Sequence, residues 1–181
     1  MHSEKDLINR CLKNEAKAQE EFYRRFSPKM YGVCLRFAKS QMEADDILQE
    51  GFIKVFINLK SYRNEGSLEG WIRRTIVNTA INLFKKNAKH QNDVEIDKTE
   101  AAHQLHYKSR AIDNLNMEEL LKLITKLPAG YRMVFNLNII EGYTHKEIGH
   151  LLNISENTSK SQLSRARQTL QKQIAELQGG M

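Results

Sequence analysis

A chain of 181 residues with 40% hydrophobic content fits one globular domain or two small ones. Its 28 lysines and arginines outweigh 22 acidic residues, and the resulting net charge of +6 points mildly toward a polyanionic partner. Two prolines and nine glycines leave long helical periodicities intact, and Cys11 and Cys34 lack the spacing of a zinc site or disulfide framework, so an all-α protein with reduced thiols is expected. No signal-peptide core opens the chain and no apolar run nears the roughly 18 residues of a membrane span, which implies a cytoplasmic protein without membrane insertion.

In chain order, Ser3 with Asp6 three residues on caps a short helix ending near Asn14. Ala18, Phe22, Tyr23 and Phe26 mark a second amphipathic helix from Glu15 to Phe26. Ser27 followed by Pro28 reads as the cap and first position of a third, carried by Met30, Tyr31, Val33, Cys34, Phe37 and Ala38. These aromatics are core candidates rather than cofactor contacts. Ser40 to Glu43 turn the chain into a central helix, Ala44 to Leu59. There Ile47, Leu48, Gly51, Phe52, Val55, Phe56 and Leu59 line one side. Asp45, Asp46, Gln49 and Glu50 gather carboxylates and an amide on the other, continued by Lys54 and Asn58. Acidic residues in a first turn also complement the helix dipole, so a plain solvent face and a docking face for a basic partner are both open.

A loop follows, holding Tyr62, Arg63, Asn64, Glu65 and Gly66, and then a helix from Glu69 to about Lys86. At about 100° per residue, Trp71, Arg74, Asn78, Asn82 and Lys85 fall within roughly 80° of one another, while Ile72, Ile76, Val77, Ala80, Ile81, Leu83 and Phe84 supply the core. Seven basic residues (Lys60, Arg63, Arg73, Arg74, Lys85, Lys86, Lys89) against two acidic ones (Glu65, Glu69) give this stretch a balance of +5. Cations neutralise phosphates and an indole stacks on an unpaired base. The alternative is a solvated face with Trp71 tucked into the core.

From about Asn87 to Asp113 the periodicity lapses into a polar linker, whose His90, His103 and His106 have no metal-site spacing. A second domain opens with Asn114 as a cap and a stripe of Leu115, Met117, Leu120, Leu121, Ile124 and Leu127. Pro128 stops it, and a helix from Ala129 to Glu141 is closed by Gly142. Thr144 and Glu147 then form a capping box, Ile148, Leu151 and Leu152 a short helix, and Asn153 and Ile154 a turn. Ser155 caps a longer helix with Leu163, Ala166 and Leu170 inside. Short helix, tight turn and longer helix is the helix-turn-helix plan, with Lys160, Ser161, Ser164 and Arg165 projecting from the second helix. A plain helical hairpin has the same pattern.

Taken together and in order, ADDILQEGFIKVF, GSLEGWIRRTIVNTAINLFKK, LP-x-x-Y-R-x-V-F-x-L and EGYTHKEIGHLLNISENTSKSQLSRAR resemble the extracytoplasmic-function (ECF) sigma factors of the sigma-70 superfamily. The resemblance implies two small helical domains. Residues 1–88 would be sigma region 2, residues 89–113 a linker and residues 114–178 sigma region 4, with regions 1.1 and 3 absent. It places Asp45, Asp46, Gln49 and Glu50 against core RNA polymerase. Tyr62, Arg63, Asn64, Trp71, Arg74, Asn78, Asn82 and Lys85 would lie on the minus-ten element of promoter DNA, which they would help to open. Thr144, Asn157, Thr158, Lys160, Ser161, Ser164 and Arg165 would lie on the minus-thirty-five element. It also implies an anti-sigma factor as a partner. Two positions depart from the family pattern: Ser159 stands where a valine is usual, which would weaken local packing, and Gln162 where an arginine is common, which removes a phosphate contact. With no long extension before Met181, an extra sensory C-terminal domain is not expected.

No nucleophile with a base, carboxylate pair, glycine-rich phosphate loop or metal cluster is visible, so no catalysis, cofactor or metal is expected. Two other readings stay open. A two-domain helix-turn-helix regulator acting without polymerase would use Lys160 to Arg165 in the same way, and a helical adaptor would need neither basic face.

Overall fold

The computed structural model describes residues 3–90 and 117–179, and among them every regular element is helical. The chain divides into two compact units that part between Leu83 and Phe84.

The first unit contains α1 (Glu4–Leu12), α2 (Ala16–Phe37), α3 (Gln41–Asn58), a short tight turn (Leu59–Ser61) and most of α4 (Leu68–His90). Local signals place the starts. The Ser3 hydroxyl accepts the Asp6 N–H, and the Ser40 hydroxyl accepts the Glu43 N–H while Glu43 reaches back to the Lys39 N–H. One expectation fails. Ser27 and Pro28 do not begin a new helix, since α2 runs unbroken from Ala16 to Phe37 with Pro28 inside it. Proline in a helix interior removes a backbone hydrogen bond and crowds the preceding turn, at about 3 kcal/mol. Pro28 is exposed, while Phe22, Phe26, Met30, Val33, Cys34 and Phe37 form a continuous buried stripe along the same helix. Burial of that stripe outweighs the local defect.

Around it the core closes with Leu7, Ile8 and Cys11 of α1, Ile47, Leu48, Phe52 and Val55 of α3, and Ile72, Ile76, Val77, Ala80 and Ile81 of α4. Phe22 sits 4.9 Å from Phe26 and 5.5 Å from Phe56 between ring centroids, in tilted geometry. Gly51 lets α3 approach α4, because a Cβ there would collide with the Ile76 side chain. This packing fixes which sides of α3 and α4 remain outside.

The second unit has α5 (Met117–Thr125), α6 (Ala129–Phe135) running into a wide π turn (Asn136–Ile140), α7 (His145–Leu152) and α8 (Glu156–Gly179). The helix expected over Ala129 to Glu141 is present, with its last turn widened. Leu123, Ile124, Leu127, Ala166, Leu170 and Ile174 form its buried cluster, with Tyr131 and Phe135 packed against it. Arg132, which nothing in the sequence marked as internal, is only 6% exposed. Its guanidinium donates to the carbonyls of Thr125 and Leu127 at 3.0 and 2.9 Å, satisfying the C-terminal end of α5. α4 runs on through His90, across the start expected for the linker, while the rest of that linker, its His103 and His106, and the Asn114 cap lie outside the described residues.

Candidate nucleic-acid interface

On α3 the buried stripe leaves Asp45, Asp46, Gln49 and Glu50 all exposed. Glu50 pairs with Lys54 one turn on at 2.6 Å. Three apolar side chains share this outer side: Met42 at 75%, Ile53 at 59% and Ile57 at 66% exposure. At about 100° per residue, Ile53 lies nearly opposite the core stripe and within roughly 40° of Asp46 and Gln49. Helical projection of Ile53 and Ile57 would have found this face from the sequence. Exposed aliphatics beside carboxylates and an amide are suited to a protein contact more than to DNA, whose phosphates the carboxylates repel.

On α4, Arg74, Asn78 and Asn82 are exposed, and Trp71 and Lys85 half-buried. Between them Thr75 and Thr79 turn their hydroxyls onto the Trp71 and Thr75 carbonyls, at 3.1 and 2.9 Å, leaving the two amides facing solvent. Trp71 is therefore neither swallowed by the core nor free of it. Its ring lies 5.6 Å from that of Tyr62, tilted by 49°. Tyr62 is half-buried, and its hydroxyl donates to the Gly66 carbonyl at 2.8 Å, closing the loop on itself. Asn64 and Gly66 take left-handed φ values of 57° and 90°, conformations open to asparagine and glycine. Arg63, Asn64 and Glu65 are exposed. Ser67 ends the loop by accepting the Gly70 N–H at 3.0 Å.

In the second unit the expected capping box is present. The Thr144 N–H and hydroxyl donate to Glu147 at 2.8 and 2.7 Å, and the Glu147 N–H returns to the Thr144 hydroxyl at 3.2 Å. These bonds hold the Glu147 carboxyl below the ordinary carboxylate range. Asn153 takes φ 59° to end α7, and Gly149 lies so close to the Ile154 carbonyl that a Cβ would stand 2.9 Å from it. Ser155 accepts the Thr158 N–H at 2.9 Å and starts α8.

The residues expected on the minus-thirty-five element divide into two groups. Asn157, Lys160 and Ser161 are exposed, with Lys160 paired to Glu156 at 2.6 Å. Thr144, also exposed, bonds within its cap. Thr158, Ser164 and Arg165 are half-buried, with the Thr158 hydroxyl 2.8 Å from that of Ser155. Arg165 donates to the Tyr131 hydroxyl of α6 at 3.3 Å, a cross-helix contact that its position in the sequence did not signal. Ser159 is fully buried, its hydroxyl 2.9 Å from Nδ1 of His145. Gln162 lies against Gly130 at the start of α6.

Among the described residues, no cluster of three or more histidines, cysteines or acids is placed to hold a metal, and no helix is long and apolar enough to cross a membrane.

Residues 22–90 match the family Sigma-70 region 2, and residues 117–170 match Sigma-70, region 4. The chain is 29% identical over 184 residues to the ECF RNA polymerase sigma factor SigW of Bacillus subtilis (strain 168), covering 96% of this chain and 97% of that protein. It is 26% identical over 180 residues to the ECF RNA polymerase sigma-E factor of Escherichia coli (strain K12), covering 94% of each. Among solved structures, the sigma factor RpoE from Bartonella quintana, in complex with the anti-sigma factor NepR, has the same fold. Its TM-score is 0.50 at 19% identity, over 87% of this chain and 96% of that one.

Proposed function

The chain belongs to the sigma-70 family, in its extracytoplasmic-function group, and on that premise we propose how its two units share the work of bringing core RNA polymerase to promoters. Residues 1–88 dock on polymerase and engage the minus-ten element, and residues 114–178 engage the minus-thirty-five element. The observation that carries this division is the outer surface of the first unit: α3 shows acids, an amide and aliphatics, and α4 shows amides and cations. A regulator that binds duplex DNA alone has no use for the first surface, and an adaptor has none for the second.

On α4, Asn78 and Asn82 offer amides to base edges, Arg74 and Lys85 offer charge to phosphates, and Trp71 offers a ring face. Unstacking a base costs a few kcal/mol, which its capture on protein offsets, so strand opening is driven by binding. The chemistry of RNA synthesis belongs to polymerase, so this chain needs no catalytic group of its own. A cytoplasmic location and control by an anti-sigma factor complete the reading.

The test replaces Asp45, Gln49 and Glu50 together with alanine. All three are exposed, so folding should change little. Core-polymerase affinity in a fluorescence titration should fall. Unchanged affinity with helicity preserved overturns the docking assignment.

A further inference from the structure

We propose that His145 and Ser159 form a positioning pair that sets how α8 lies against α7, and through it which base pairs the second unit prefers. The inference rests on reading α8 as the helix that meets the upstream promoter element.

Four polar residues are buried among those described: Thr79, Arg132, Asn136 and Ser159. Thr79, Arg132 and Asn136 each donate to backbone carbonyls. Ser159 reaches a side chain on another helix. Its hydroxyl lies 2.9 Å from Nδ1 of His145, the first residue of α7, with the donor set by the imidazole tautomer. A valine in place of Ser159 would hold α7 and α8 together by apolar contact without preferring a direction, whereas a hydrogen bond does prefer one. The position is sensitive. Ser159 follows Ser155, which caps α8, by one turn, and it stands between Thr158 and Lys160. A rotation of α8 about its axis at Ser159 therefore moves Asn157, Lys160 and Ser161 together. Gly149 lets the Ile154 carbonyl of the turn come close to α7, and buried Ile148, Leu152 and Leu163 add apolar contact. The pair adds a directional contact to that packing.

The experiment is a promoter-library selection with full-length protein and core polymerase, run beside thermal melts. Ser159→Val should fold, because it removes only the hydroxyl and keeps a compact uncharged side chain, and the melts show whether its added bulk is accommodated. It should lose discrimination between the best upstream element and its single-base-pair variants by about fivefold, the weight of one ordinary hydrogen bond. His145→Leu should lose the same discrimination. If its stranded serine prevents folding, the double variant His145→Leu/Ser159→Val provides the measurement, and it should lose no more than Ser159→Val alone. His145→Asn, whose amide can stand near the position of Nδ1, should retain the preference.

Two results overturn the pair, and they differ. If the parental protein discriminates among upstream elements and Ser159→Val does so equally, Ser159 is only a packing residue. If the parental protein shows no upstream discrimination and Lys160→Ala changes nothing, the reading of α8 fails and takes the pair with it.

Discussion

Replacing Ile53 and Ile57 with alanine tests the docking surface where the structure adds most. Both lie on the outer side of α3, at 59% and 66% exposure, so most of each side chain is still available for burial. Covering an entire isoleucine side chain is worth about 2.5 kcal/mol, of which roughly 1.5 remains available at each position. Alanine keeps the Cβ, so each substitution should remove about 1 kcal/mol of association energy. The pair should lose about 2 kcal/mol, or roughly thirtyfold in Kd for core polymerase. Stability should move the other way or not at all, since exposed substitutions fall within about 0.5 kcal/mol and alanine favours helix over isoleucine. Fluorescence titration with core polymerase gives Kd, and thermal unfolding followed by circular dichroism gives stability. A Kd within about threefold of the parental value, with melting unchanged, refutes the assignment of this face. So does a loss of affinity that tracks a loss of fold.

Asn78→Ala should slow open-complex formation on duplex promoters more than on templates already mismatched at the downstream element, and equal loss on both reduces Asn78 to plain affinity. Lys160→Ala should weaken binding across upstream sequences and shallow the salt dependence by about one ion, measured by titration at several salt concentrations. Arg165→Ala should relax preference at one or two base pairs by roughly 1 to 3 kcal/mol in a promoter-library selection, and Tyr131→Phe, which removes one acceptor of the guanidinium, should reproduce part of that loss. Gly51→Ala should lower the melting temperature, because the new Cβ must displace Ile76 and such overpacking costs about 1 to 3 kcal/mol. The folded state holds the Glu147 carboxyl below its unfolded range, so its contribution is present above the ordinary carboxylate pKa and fades as pH falls through the depressed value. Glu147→Gln should accordingly flatten the acid side of stability against pH, read from melts across acidic buffers.

Signals confined to a few neighbouring residues were legible in the chain. Ser3, Thr144 with Glu147, and Ser155 all cap the helices that their spacing implied, because a hydroxyl three residues before an unpaired N–H needs no distant partner. The same is true of the faces of α3 and α4, where periodicity alone separates Ile47, Val55 and Ile76 from Asp45, Arg74 and Asn78. Pro28 shows the limit of local rules. Serine and proline read as a start, yet the aromatic stripe from Phe22 to Phe37 carries the helix across them.

Helical content, two regions of differing surface and the residues on each exposed face thus follow from local propensity and hydrophobic period. What required tertiary structure was the partner of each polar group. Tyr62 meets Gly66 and Trp71, Arg132 closes the end of α5, Arg165 reaches across 34 positions to Tyr131, and Ser159 meets His145. Periodicity reports which side of a helix is apolar, but a buried hydroxyl or guanidinium is stable only where a complementary atom arrives from another segment. That arrival is set by how the helices cross, and the crossing is decided by packing at sites such as Gly51 and Gly149, where absence of a side chain lets another segment come close.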